Sequence, residues 1–379
     1  MKKFLILLLL PALLASCSLP RSYSSDFAPA PPFPADEPSA PAAYVPVNYS
    51  DVRGLWIPYL RFEDLLQGKS EAEFRTAVKS LVNDAASRSI NTLYFHAHPN
   101  GDAYYDSALF PKGSFLDGSY DPLSIVLDEA HDAGISVHAW LNPLRLQTPE
   151  QMDEIPDSFI TKQWSLQPEL HYVEPVGGRW YLNPAYPEVR DLISNAAAEI
   201  VRNYPVDGIH IDDYFFPTTD PSFDQAAFAA SGASDLAAWR RENVTRFVKG
   251  IYDAVKAENS SVLFGISPQG NINADYSSQY ADARLWGGTP GYCDYILPQI
   301  YFGFKNETMP FERTLRQWEE LTAGSSVSLI IGLAAYKLGK NDQWAGASGE
   351  NEWIDDPDII QRQISLVQSS SADGYALYE

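Results

Sequence analysis

From about residue 50 onward, short apolar runs alternate with longer amphipathic ones. Runs bounded by Gly, Pro, Asn or Asp predict strands at Val52–Ile57, Asn91–Phe95, Ile135–Trp140, Asp207–Asp212, Val262–Ser267, Asp294–Gln299, Ser328–Ala334 and Gly374–Tyr378. Between them, apolar positions recurring every three to four residues predict helices over Glu71–Ser89, Leu123–Ala133, Pro187–Asn203, Asp235–Ala257, Phe311–Ala323 and Pro357–Gln368, with a weaker one near Tyr280. Pro187 and Pro357 stand where a first helical turn tolerates proline. Eight strand candidates separated by seven helical ones predict an α/β fold, a (β/α)8 TIM barrel rather than an open doubly wound sheet. The eighth strand candidate ends beside Glu379, so the final helix of the barrel is expected to be absent from this chain.

Ahead of that pattern, residues 1–16 show two lysines, a short apolar run and small residues, which predicts a signal peptide rather than a spanning helix. The Leu14-Ala15-Ser16-Cys17 ending resembles a bacterial lipobox, so Cys17 is expected to become an acylated N-terminus held by the membrane; an ordinary signal peptide cut nearby is the alternative. Ser18 rather than aspartate after the cysteine favours the outer membrane if the cell is Gram-negative. Residues 17–47 are rich in Pro, Ala and Ser and predict a disordered spacer, leaving residues 48–379 as the barrel domain.

Charge narrows the partners. The formal net charge of -22 and the lack of any basic run disfavour nucleic acid and leave neutral or amino-bearing substrates. With Cys17 lipidated, Cys293 has no partner for an intrachain disulfide, so the exported fold must rest on its core. Nine tryptophans and 22 tyrosines supply rings for stacking on sugars or for packing the core. No G-x-S-x-G, P-loop, dinucleotide fingerprint or H-E-x-x-H pattern occurs; no cofactor or metal is expected, and the expected state is a monomer.

Function in such a barrel sits at the carboxyl ends of the strands. Those ends are polar and aromatic here: Trp56 and Tyr59, then HAHPNGDAYY, HAWLNPLR, HIDDYFF, SPQGN, PQIYFGF and AAYKLG. In VDGIHIDDYFFP, alternation places Ile209 and Ile211 on one face and Gly208, His210 and Asp212 on the other, with Asp213 at the rim. Two nearby carboxyls in a desolvated pocket separate their pKa values, the arrangement that glycoside hydrolysis uses. A helix cap or a solvated turn is the structural alternative. His96 and His98 alternate onto one face, as sugar-binding donors or, with Asp212, as a metal site; Gln299 and Tyr301 likewise share a face. Asn142 and Arg145 either bind substrate or tie down their loop.

The ordered series VRGLW, NTLYFHAHPNGDAYYDS, GISVHAWLNP, RWYLNPAYPEVRDLI, VDGIHIDDYFFP, FGISPQGN and DYILPQIYFG resembles the glycosyl hydrolase-like 10 family of bacterial lipoproteins and secreted proteins. That resemblance implies a TIM barrel and hydrolysis of glycosidic bonds, in characterised relatives those of peptidoglycan strands stripped of their stem peptides. Its second-strand motif more usually has glutamine and arginine where this chain has His96 and His98. The fourth strand also resembles the D-G-x-D-x-D-x-E signature of family-18 chitinases, which use the substrate's acetamido group as nucleophile. Asp207 and Asp212 match its first and third aspartates, while His210 and Tyr214 replace the second aspartate and the acid.

The expectation is therefore an envelope-tethered, retaining or substrate-assisted glycoside hydrolase acting on an amino-sugar polymer. Asp212 would be nucleophile, base or acetamido orienter. Asp213 would be the acid, with Glu307 a distant second. His96, His98, Asn142, Arg145, His210, Gln269, Asn271, Gln299 and Tyr301 would position the sugar, and Trp56, Trp140 and Tyr214 would wall it. The rivals are a non-catalytic carbohydrate-binding surface lipoprotein and a metal-dependent deacetylase or hydrolase built on His96, His98 and Asp212.

Overall fold

The computed structural model describes residues 44–379; the expected signal peptide, Cys17 and the expected spacer as far as Ala43 lie outside the described residues. Eight parallel strands close into a barrel: β1 (Val52–Ile57), β2 (Thr92–His98), β3 (Ser136–Leu141), β6 (Gly208–Ile211), β7 (Leu263–Ile266), β8 (Tyr295–Ile296), β9 (Ser328–Ala334) and β10 (Gly374–Tyr378). The last strand pairs with the first, Val52 opposite Gly374, so closure needs no helix after β10. Strands of this kind are covered on both faces, which is why they read as nearly continuous apolar runs.

Local chemistry starts and stops the helices between them. Ser70 and Glu73 form a reciprocal capping box at the head of Glu71–Ser87. Asp121 caps Pro122–Asp132, with proline at its first position, and Pro187–Asn203 also opens on proline but without a side-chain cap. Two elements differ from the expectation. Near Tyr280 there are two short helices, Ile272–Ser278 and Ala283–Gly288, split by the left-handed backbone of Tyr280 (φ 51°). The sixth barrel strand is laddered only at Tyr295–Ile296, because Pro298 lacks an N–H, and the pairing resumes at Gln299.

An antiparallel hairpin, β4 (Val173–Val176) and β5 (Arg179–Leu182), was not anticipated. Gly177 and Gly178 turn it with positive φ at both positions, the geometry a two-residue hairpin loop requires. Its outer strand pairs onward with the loop after β3: Leu146 N donates to the Trp180 carbonyl and Leu182 N to the Leu144 carbonyl. The hairpin thus fixes the backbone on either side of Arg145.

Two cores result. Ile209 and Ile211 pack outward against the helices, while the barrel interior holds Trp56, Tyr94, Trp140, Tyr295, Leu297 and Ile330. Large rings fill the axis because facing positions are glycine: a Cβ on Gly265 would lie 1.8 Å from the Tyr295 ring, and one on Gly208 2.4 Å from His138. At the amino end of the barrel, Tyr44 and Val47 dock on Asp207, so the expected spacer gives way to ordered chain before Val47.

Candidate active site

At the carboxyl end of the strands lies a cavity of about 340 Å³ lined by Trp56, Tyr59, His96, Trp140, Asn142, Arg145, Asp212, Asp213, Tyr214, Gln299, Tyr301, Tyr336 and Tyr378, with Pro58 and Leu60 at its edge. The chain leaves β6 at Ile211 and bends at Asp213, which is how two sequential aspartates open into one space. Asp212 is buried and its Oδ1 has no protein partner; Asp213 Oδ1 accepts from Gln299 Nε2 at 3.3 Å. Burial raises Asp212 well above the usual carboxylate range, and the neighbouring Asp213 pushes it further. Asp213 is also raised by burial, but amide donors oppose the shift. Burial and mutual repulsion both disfavour ionising the two carboxyls together, and the larger rise falls on Asp212.

Around the pair stand polar atoms that the protein itself leaves unsatisfied: His96 Nε2, Trp140 Nε1, Asn142 Oδ1 and Arg145 Nε. Unpartnered buried groups are costly, and their convergence on one cavity marks a place built for a polar ligand. His96 lies flat on Trp140, ring centroids 3.7 Å apart, and its Nδ1 accepts from Tyr59 N at 3.4 Å. That bond puts the proton on Nε2 and makes His96 a donor. Burial first, then the Arg145 charge, holds it neutral. The Arg145 guanidinium sits over Tyr59 and Tyr214, 5.7 and 5.2 Å from their ring centroids. Opposite, Tyr301 and Tyr378 stack at 6.1 Å and Tyr336 meets both edge-on, giving a wall of rings.

Five nominated residues are not in the cavity wall. A bulge between His96 and His98 breaks the alternation, so His98 turns against Phe110 with ring centroids 4.2 Å apart. His96, His98 and Asp212 consequently do not converge, and among the described residues no group of three His, Cys, Asp or Glu is placed to hold a metal. His210 lies beneath the floor. Its Nε2 accepts from the Trp56 indole at 3.1 Å, so its Nδ1 must donate to the Tyr295 hydroxyl at 3.0 Å, and that hydroxyl donates to His138 Nδ1 at 2.8 Å. This chain fixes the tautomer of His210 and the set of Trp56. Asn271 caps Ile272–Ser278 through its side-chain oxygen and borders a separate groove, and Gln269 lies behind Asp213. Glu307 is a loop tie, accepting from Ser348 N and Oγ at 3.0 Å.

One buried carboxyl was not foreseen. Asp275 accepts from Gln269 N at 3.0 Å, has its other oxygen unpartnered, and is raised to about 8 by burial, with Asp213 adding to the shift. Tyr336 and Tyr378 were also missed, although Tyr378 shares the inward face of Ala376 by simple alternation.

The model of a family described as glycosyl hydrolase-like 10 matches residues 51–347. The chain belongs to this family. This family member is 30% identical over 341 residues to the glycosyl hydrolase DigH of Escherichia coli (strain K12), covering 80% of this chain and 77% of that protein. It is 31% identical over 354 residues to the glycosyl hydrolase YngK of Bacillus subtilis (strain 168), covering 84% and 67% respectively. Among solved structures, the glycoside hydrolase domain of PgaB (BpsB) from Bordetella bronchiseptica superposes with a TM-score of 0.57 at 14% identity, covering 88% of this chain and 94% of that one. The latter likeness is one of fold.

Proposed function

We propose that the protein is a glycoside hydrolase that cleaves an amino-sugar polymer of the bacterial envelope, most directly peptidoglycan glycan strands without stem peptides, while tethered by acyl chains on Cys17. The observation that carries this reading is the adjacent, buried Asp212–Asp213 pair inside a cavity of unpartnered polar groups and aromatic walls. Among the described lining residues these are the two carboxyl groups, and they leave from one strand end. A pair on one wall supports a substrate-assisted route better than a protein nucleophile facing an acid across the sugar.

In that route the substrate's acetamido oxygen attacks the anomeric carbon. The bond from that carbon to the leaving oxygen breaks, the electron pair stays on the leaving oxygen, and Asp212 donates its proton there. Asp213, ionised, accepts from the acetamido N–H and stabilises the positive charge that develops on the ring formed. Asp212 then takes a proton from the water that attacks the same carbon, and the acetamido group is restored. His96, Asn142 and Arg145 hold sugar hydroxyls. These roles exchange the acid and orienter expected from the sequence, because Gln299 solvates Asp213 and nothing solvates Asp212 Oδ1.

The test is the appearance of new reducing ends from denuded peptidoglycan and from chitin oligomers. Asp212→Asn should lower turnover roughly 100- to 10,000-fold on these substrates but far less on an aryl glycoside whose leaving group needs no proton. Asp213→Asn should lose activity on both. Binding without product from any substrate would make the protein a non-catalytic carbohydrate-binding lipoprotein instead.

A further inference from the structure

Trp344 is 81% exposed, in a protein that buries or half-buries its other tryptophans. An exposed ring by itself is ordinary on a protein surface; what sets this one apart is the loop that carries it. The loop here is fixed. Asp342 N donates to the Glu350 carbonyl at 2.8 Å, Glu307 N to the Ala345 carbonyl at 2.9 Å, and Ala345 beside the tryptophan is buried. Gly346 is left-handed (φ +77°), and a Cβ there would lie 2.4 Å from the Glu307 carboxyl carbon, so the loop seats against Glu307 only with glycine. With its neighbour clamped inward, the Trp344 indole is held outward.

The same loop is continuous with the cavity. Lys337 Nζ donates to the Tyr301 carbonyl and to Asp342 Oδ2, both at 2.8 Å, joining a cavity-wall residue to the start of the loop. Lys340 Nζ stands 5.7 Å from the ring centroid of Tyr336, another wall residue. Trp344 N in turn donates to Asp342 Oδ1 at 3.3 Å.

We propose that Trp344 is a distal platform on which a sugar ring of a long glycan stacks while another unit of the chain occupies the cavity. The proposal rests on the polysaccharide reading of that cavity. A flat, exposed ring on a loop tied to the cavity wall through Lys337 matches the apolar face of a pyranose. Its surroundings, with Asp342, Glu350, Asp355 and Asp356 close in sequence, disfavour an anionic lipid surface. The consequence is action on long strands in preference to short oligomers.

The experiment compares the full-length protein with Trp344→Ala and Trp344→Phe. KM for denuded glycan strands should rise about 10-fold in the alanine variant with kcat unchanged, and phenylalanine should restore much of the loss. Kinetics on a short aryl glycoside should not move. Equal KM on long strands, or an equal loss on the short substrate, would overturn the platform. A second arm measures co-sedimentation with insoluble glycan in the Asp212→Asn background, which reads Trp344 even if no turnover is found: unchanged retention on removing the indole also overturns it. Vesicle binding that falls with Trp344→Ala while glycan retention stays constant would assign the ring to a membrane and overturn the proposal too.

Discussion

Strand β6 is flanked by two buried aspartates whose environments are opposite. Asp207, before its first residue, accepts from the Tyr44 hydroxyl, Val47 N and Val137 N, each at 2.6 Å, and pairs with His131 Nε2 at 2.9 Å. Burial alone would raise it, but the bonds from His131, Tyr44 and the backbone outweigh that and hold it below the usual carboxylate range. Asp212, just past the last residue of the strand, has an unpartnered oxygen and is raised by burial and by Asp213. The same residue type is thus saturated with donors at the amino end of the barrel and starved of them at the carboxyl end. The first arrangement stabilises the fold. The second leaves bonding capacity that no protein group fills and that the proposed substrate would take up, at a cost to stability.

Breaking each end separately should give complementary outcomes. Asp212→Asn is expected to cost orders of magnitude in turnover, as above, while raising Tm, since it removes a buried acid whose raised pKa costs stability at neutral pH. Asp207→Ala should leave kcat within about twofold but lower stability by on the order of 3 kcal/mol, because it strands two backbone N–H groups and the His131 and Tyr44 donors. Thermal unfolding and reducing-end kinetics on the same two variants decide it. A fall in Tm for Asp212→Asn, or a large kcat loss for Asp207→Ala, would dissolve the division between the two ends.

Acidification sharpens the contrast. Asp207 has a depressed folded pKa, so its stabilisation is complete above the unfolded carboxylate value of about 3.9 and is lost as pH falls through the lower folded value. Asp212 has a raised folded pKa, so its penalty is fully present above that folded value and is relieved as pH falls toward about 3.9. The stability advantage of Asp212→Asn over the wild type should therefore shrink between neutral and mildly acidic pH. Working with the difference cancels the general relief of self-repulsion in a chain of formal charge -22. A difference that stays constant across that range would mean Asp212 is not the proton-holding member of the pair.

Much of this was legible in the sequence, and the failures have physical causes. Period-two alternation placed Ile209 and Ile211 outward and Asp212 inward because β6 is a regular strand. The same count failed at His98 because one inserted residue in β2 reverses the face of everything after it. Arg145 was visible as a candidate, but what holds it was not: the Gly177-Gly178 hairpin signal was present and went unread. Asn271, standing before a short helix, reads as a cap by residue type. Asp275 carried no local signal, since an aspartate in a first helical turn is ordinary and its burial depends on where that helix packs.

The smallest expected effect concerns the chain that joins the barrel to its N-terminal extension. Tyr44 contributes one of the bonds to Asp207, its ring lies 5.6 Å from that of His131, and its carbonyl accepts from Asn259 Nδ2. Tyr44→Phe keeps the ring and deletes the hydroxyl, so the loss isolates one charge-assisted hydrogen bond at a half-buried site. About 1 kcal/mol is expected by chemical denaturation, with kcat and KM unchanged. Because the remaining Asp207 partners persist, the deficit should shrink in an Asp207→Ala background, where the Asp207 carboxylate is no longer there to accept from the hydroxyl. A deficit of the same size in both backgrounds would mean that the Tyr44 hydroxyl acts through His131 Nε2, 3.2 Å away, and that the saturation of Asp207 is shared among fewer donors than its geometry shows.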